Sequence, residues 1–296
     1  MARKHVELAN GIELYTVDIG PKNAPAIIFL HGFPENHRTW RHQIEHFRDR
    51  YRCIAPDQRG YRGSSKPEGV ENYTADKLIG DVFLLADALG VDRFTIAGHD
   101  WGGAIAWGVA IAGQDNGRVE GTVIANAPHP AVFQELLYTN EHQRRSSQYI
   151  AAFRNPANDA LVEEHGLAGI LLKHVKWDSD DRMEPEERAA LLKDWQDREA
   201  AMAMLNWYRA SPIDVPSPDA PYALPEGWSP PPSWQLKTPT LVMWGMDDLA
   251  LPPENLGRLD EFVDDLTVER IEGCGHFTPW EAPEAVNGAM ERFFDK

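Results

Sequence analysis

The stretch FTIAGHDWGGAIAW, from Phe94 to Trp107, constrains this chain more than any other. Phe94 to Ala97 is a short apolar run suited to a buried strand, and Gly102 to Trp107 opens a small-residue helix. Only Gly98-His99-Asp100-Trp101-Gly102 lies between them. A backbone that turns from strand to helix in so few residues strains its middle residue and lifts that side chain above the carboxyl end of the sheet. The glycines at 98, 102 and 103 let the two arms approach closely. The residue displayed is Asp100. Alone, the stretch also fits an ordinary strand-to-helix loop with a capping aspartate, because Asp is a good N-cap.

The flanking pattern repeats the theme. Asn10-Gly11 between the alternating segments HVEL and IELYTV signals a hairpin. Ala26–Leu30 (AIIFL) is wholly apolar, as a central parallel strand covered on both faces requires. Strand signals recur at Arg52–Ala55, Val119–Ile124, Thr240–Trp244 and Leu266–Ile271, with helices over Asp76–Gly90 and Pro283–Phe294. Alternating strands and helices predict an α/β fold with a mostly parallel, doubly wound sheet. From about Pro128 to Trp234 the strand signal disappears, and the segment ends in the proline-rich SPIDVPSPDAPYALPEGWSPPPSW. The expected organisation is a core domain from residues 1–127 and 235–296, with a helical cap domain, 128–234, inserted between them.

At 296 residues the chain can bury a core that needs no covalent staples. Its net charge of −17 would repel phosphate backbones and anionic lipid surfaces, so neither nucleic acid nor a membrane is expected as a partner. The two cysteines, Cys53 and Cys274, lie far apart and outside any metal-like spacing. The segment MARKHVELANG lacks the apolar run of a signal peptide, and the expected location is cytoplasmic.

Two further loops converge on the ends of these strands. His276 sits in GCGHF after the last strand, where flanking glycines can present an imidazole; the alternative is a surface or core-packed histidine. Asp248 follows TLVMW in WGMDD, a position suited to an acid that orients a histidine, with Asp247 as its substitute. The order is then nucleophile, acid, histidine. His31-Gly32-Phe33-Pro34 follows AIIFL, so the amides of Phe33 and Trp101 could form an oxyanion hole beside Asp100.

Together HGFPE, DQRGY, GHDWGG, WGMDD and CGHF, in this order and across nearly the whole chain, resemble the epoxide hydrolases of the α/β-hydrolase fold. The resemblance implies Asp100 as nucleophile, Asp248 as acid and His276 as base. It also implies two cap tyrosines that hold the epoxide oxygen. Asn206-Trp207-Tyr208-Arg209 matches the second tyrosine motif closely, and Gln148-Tyr149-Ile150 matches the first less tightly. The alternative for each is an aromatic packed between helices, and Tyr138 and Tyr222 are substitutes. Phe33, Trp101, Trp207 and Phe277 are expected to line the substrate pocket. The expected partners are a small epoxide and water, and no cofactor or metal is required. Two residues depart from the family pattern: Arg62, where relatives more often have glycine, and His37, where tryptophan is common.

An aspartate, with an ordinary pKa near about 3.9, is ionised at neutral pH without help from a base. It is suited to displacement at a strained or activated sp³ carbon. The nearest rival is a haloalkane or haloacid dehalogenase with the same aspartate chemistry. Its halide needs two N–H donors, and Phe33 has none on its side chain. A non-catalytic ligand-binding homologue is the second alternative, and all members of the triad being present argues against it. Ser64 and Ser65 lie on a loop, which disfavours a serine esterase.

Overall fold

The structure is a computed structural model that describes residues 3–174 and 183–296. Its strands are β1 (Arg3–Glu7), β2 (Glu13–Ile19), β3 (Ala26–Leu30), β4 (Arg52–Pro56), β5 (Phe94–His99), β6 (Val119–Ala125), β7 (Thr240–Gly245) and β8 (Leu266–Ile271). They form one sheet in the order β1-β2-β4-β3-β5-β6-β7-β8. From β4 through β8 every neighbour is parallel, whereas β1 and β2 form an antiparallel hairpin that adds antiparallel to β4. The hairpin turns at Asn10-Gly11 as the sequence implied, with Gly11 at φ +80°.

The apolar runs sit where two-sided burial is needed. Every residue of β3, β4 and β7 is buried, while the edge strand β8 is only half-buried. Alternation then sorts side chains between two cores. Ile28 and Leu30 point to one face, against helices α2 (Ala75–Ala88) and α3 (Trp101–Gly113). Ile27 and Phe29 point to the other, against α1 (Arg41–Phe47) and, later in the chain, the terminal helix over Pro283–Phe294. Each fully buried large apolar side chain contributes roughly 1.5–3 kcal/mol by leaving water. Parallel pairing also brings the carboxyl ends of β3, β5, β6 and β7 to one edge, and the functional loops with them.

Between β6 and β7 every described regular element is helical. These are α4 (Pro130–Thr139), α5 (Glu141–Ser146), α6 (Tyr149–Arg154), α7 (Asp159–His165), α8 (Leu167–His174), α9 (Pro185–Asp194) and α10 (Arg198–Ala210), with short 3-10 turns. Helices α6 and α10 face the end of β3, because Phe153 and Tyr208 both pack on the Phe33 ring. After β8 come α11 (Thr278–Glu281) and α12 (Pro283–Phe294). No described helix is long and apolar enough to cross a membrane. Cys53 and Cys274 are both free and buried.

Candidate active site

Asp100 stands between β5 and α3 with φ 51° and ψ −122°, a conformation that costs a non-glycine residue on the order of 1–3 kcal/mol. Its side chain makes no capping hydrogen bond, so the capping alternative fails. Close packing leaves the turn no other shape. A Cβ on Gly98 would lie 2.3 Å from the Gly102 carbonyl oxygen, and one on Gly32 would lie 2.4 Å from the Asp100 Cβ. The missing Cβ of Gly32 brings the next amide to the carboxylate: Phe33 N–H donates to Asp100 Oδ1 at 2.8 Å. The Trp101 amide also bears on it. Burial opposes ionisation of Asp100, but the neighbouring His276 and these donors outweigh it and hold the carboxyl below its ordinary range.

His276 Nε2 lies 3.5 Å from Asp100 Oδ2, and its Nδ1 lies 2.7 Å from Asp248 Oδ2. Asp248 is buried and Asp247 is exposed, which decides between them. Asp248 Oδ1 accepts from the amides of Ala250 and Leu251 at 2.8 and 2.9 Å, so the carboxylate has its charge satisfied on both sides. Burial disfavours the imidazolium, but Asp248 and Asp100 flanking it raise His276 well above its usual value.

Several residues that brace the triad or its neighbours were not singled out by the sequence. Asn126 ends β6 in a left-handed conformation, φ 40°, that Asn tolerates better than most residues. Its Nδ2 donates to Asp248 Oδ2 at 2.8 Å while its Oδ1 accepts from Gly245 N–H at 2.9 Å. Glu281 accepts from the amides on either side of His276, Gly275 at 2.6 Å and Phe277 at 2.9 Å. His99 Nε2 donates to the His276 carbonyl at 2.9 Å. Burial and the nearby His276 charge lower His99 to about 3, so it is a neutral brace. Glu35 accepts from Thr39 Oγ1 and Trp280 Nε1, both at 2.8 Å, and burial raises its carboxyl to about 7. The strand-end position of Asn126 and the glutamate of HGFPE were the available clues.

The tyrosines arrive from the helical segment. Tyr149 begins α6 and Tyr208 lies in α10, with ring centroids 6.2 Å apart. Tyr149 also packs on Phe153 at 5.4 Å, so the aromatic-packing alternative holds alongside any chemical role. Burial, with the charge of Asp100 nearby, raises both phenols far above the ordinary range and keeps them protonated donors. The Trp101 side chain interacts with the Tyr208 hydroxyl, and the two rings meet edge-on at 5.1 Å. Tyr138 instead donates to Asp214 and Tyr222 to the Pro218 carbonyl. Phe33 and Trp101 lie beside Asp100 and Tyr208. Trp207 is fully buried behind Trp101, its indole N–H donating to the Arg59 carbonyl at 3.0 Å, so it ties α10 to the core. Phe277 packs beneath His276 and stacks on Trp280.

This chain matches the family model for the alpha/beta hydrolase fold over residues 25–283. A solved epoxide hydrolase from metagenomes of hot environments is 67% identical, with a TM-score of 0.96 over 99% of this chain and 98% of that one. This chain belongs to the epoxide hydrolases. An inhibitor-bound epoxide hydrolase of Bacillus megaterium is 28% identical, with a TM-score of 0.86 over 99% of this chain and 100% of that one. Epoxide hydrolase 1 of Caenorhabditis elegans is 30% identical over 96% of this chain and 68% of its own length. As an epoxide hydrolase the chain is a hydrolytic enzyme with the fold expected from its motifs.

Proposed function

We propose that this epoxide hydrolase converts an epoxide to a vicinal diol through an alkyl ester on Asp100. Residues 128–234 serve as the cap over a core of 1–127 and 235–296. In the first step the Asp100 carboxylate attacks a ring carbon and the C–O bond breaks. Tyr149 and Tyr208 donate to the departing oxygen, one of them passing it a proton as it becomes a hydroxyl, and the proton that His276 sheds once the Asp100 charge is gone returns that phenol to its neutral form. The ester removes one of the two anions that hold a proton on His276, so the imidazole becomes able to act as a base. In the second step His276, oriented by Asp248, takes a proton from water, and the resulting hydroxide attacks the ester carbonyl. The Phe33 and Trp101 amides hold the tetrahedral oxyanion. Collapse breaks the acyl C–O bond, the departing diol oxygen takes the proton of the added hydroxyl, and the Asp100 carboxylate is restored beside a protonated His276.

The observation that carries this reading is the grip on Asp100: one oxygen on the Phe33 amide at 2.8 Å, the other facing His276 at 3.5 Å, with the buried Tyr208 and the partly buried Tyr149 nearby. A halide site is less well served, because the Trp101 indole is engaged by Tyr208 and the Phe33 side chain has no donor. Intact-protein mass spectrometry tests the scheme. His276→Gln should accumulate a covalent adduct of the substrate mass, and Asp100→Asn should form neither adduct nor diol. Absence of the adduct with a good substrate, or halide release from haloalkanes exceeding diol formation, would reject it.

A further inference from the structure

Two residues of this chain stand where their local backbone disfavours them. Arg62 occupies a left-handed conformation, φ 39°, where a glycine would carry no strain. Asp194 is the last residue of α9, the end at which the helix dipole disfavours a carboxylate. The two meet: Arg62 Nε lies 3.2 Å from Asp194 Oδ2. The same oxygen accepts from Asn36 Nδ2 at 3.0 Å and from Arg38 Nη2 at 3.2 Å. Arg62 also reaches the buried Asp57, Nη1 to Oδ2 at 3.5 Å, and Asp57 is held by His37. The two departures from the family pattern, Arg62 and His37, thus share one carboxylate.

The residue after Asp194 shows what this cluster fastens. Trp195, fully buried, donates its indole N–H to the Pro34 carbonyl at 2.8 Å. Pro34 follows Phe33, whose amide holds Asp100 Oδ1. Asn36, two residues on, belongs to the Asp194 cluster. The loop that carries the oxyanion donor is therefore gripped from α9 at two points.

We propose that Arg62, Asp194 and Trp195 are positioning residues that latch α9 to the oxyanion loop and hold the Phe33 amide in register for ester hydrolysis; this rests on the two-step scheme above. The two steps load that amide differently. Alkylation removes charge from Asp100, so the amide loses importance as the first step proceeds. Hydrolysis builds charge on the same oxygen, so the amide matters most there. A slackened latch slows the second step more than the first.

The experiment combines Arg62→Gly, which relieves the backbone as it removes the side chain, with Trp195→Phe, which keeps a ring and deletes only the donor. Rapid-quench kinetics on a terminal aryl epoxide, scored by intact mass, separates ester formation from ester hydrolysis. Hydrogen–deuterium exchange of the peptide spanning residues 32–40 reports the loop without any chemistry. Both variants should slow hydrolysis roughly tenfold, less than the loss of a whole oxyanion donor, with ester formation changed by under about threefold. Exchange in the loop should speed up in both. Equal slowing of the two steps, an unchanged ester fraction, or unchanged loop exchange would overturn the latch. If loop exchange speeds up but the parent enzyme forms no ester while making diol, the two-step scheme fails and the mechanical coupling stands.

Discussion

Among the described residues, two histidine–aspartate pairs with buried carboxylates have nearly equal geometry. His276 Nδ1 meets Asp248 at 2.7 Å, and His37 Nδ1 meets Asp57 at 2.6 Å. Both aspartates are buried and end or follow a strand at the same edge of the sheet. The difference lies at the other ring nitrogen. His276 has 15% of its side chain exposed and its Nε2 faces Asp100, whereas His37 has 2% exposed and its Nε2 meets no hydrogen-bond partner. A His–Asp pair is therefore not a catalytic device in itself. In the mechanism proposed above it becomes one where its far nitrogen opens onto a reacting group and water; sealed on both sides, it is a structural bond.

The largest effect should come from breaking the open pair. Asp248→Asn turns an amide N–H toward His276 or Asn126 and should slow ester hydrolysis about 10³–10⁴-fold, while an ester still forms in a single-turnover mass experiment. Removing one phenol tests what lies above that pair. Tyr208→Phe should slow ring opening about 10²-fold, and without ester accumulation, because the loss falls before the ester. Acid breaks the open pair without mutation. His276 is raised in the free enzyme and loses one anionic neighbour in the ester, so hydrolysis should fall about tenfold per pH unit once the pH drops below its value in the ester. Asp100 is held low, so ester formation persists to lower pH and the adduct builds up in acid-quenched samples.

The sealed pair should respond in stability and not in chemistry. His37→Ala leaves the buried Asp57 with the residue-37 amide and Arg62 as partners and without the imidazole, and should cost roughly 3 kcal/mol in chemical denaturation. An ester fraction that also rises would show that the pair takes part in catalysis through Arg62. The smallest effect concerns Glu35. Its folded value of about 7 lies above that of an unfolded glutamate, so the carboxyl is destabilising once the unfolded group ionises. That penalty is absent below about pH 4, grows as pH rises, and is complete above pH 7 at about 3 kcal/mol or less. Glu35→Gln should therefore be more stable than the parent at pH 8 and equal to it near pH 4; a constant difference across that range would refute the assignment.

Much of this was legible in the residues. Wholly apolar runs such as AIIFL and TLVMW mark parallel strands because burial on both faces tolerates no polar alternation. The expected helix Pro283–Phe294 coincides with α12, and Asp76–Gly90 differs from α2 only at its ends. Short elements escaped: α1 and α11 have too few turns for a helical period to register. In the site, Asp100, Asp248 and His276 stand at glycine-marked turns after strands, and the structure brings them together. Trp207, expected to line the pocket, is fully buried against Trp101 with its indole N–H on the Arg59 carbonyl, a depth that sequence spacing, which gives only a helix face, does not reveal.

The chain by itself determined the sheet, the strained turn at Asp100 and the order of its chemical groups. These follow from local geometry: hydrophobic period, glycine placement and strand-end loops. Tertiary structure decided which polar groups meet. The choice of Asp248 over Asp247, the bracing by Asn126, His99 and Glu281, and the meeting of Arg62 with Asp194 join residues from separate segments of the chain. No local signal encodes such contacts, because a hydrogen bond depends on a few tenths of an ångström that only the packed core sets.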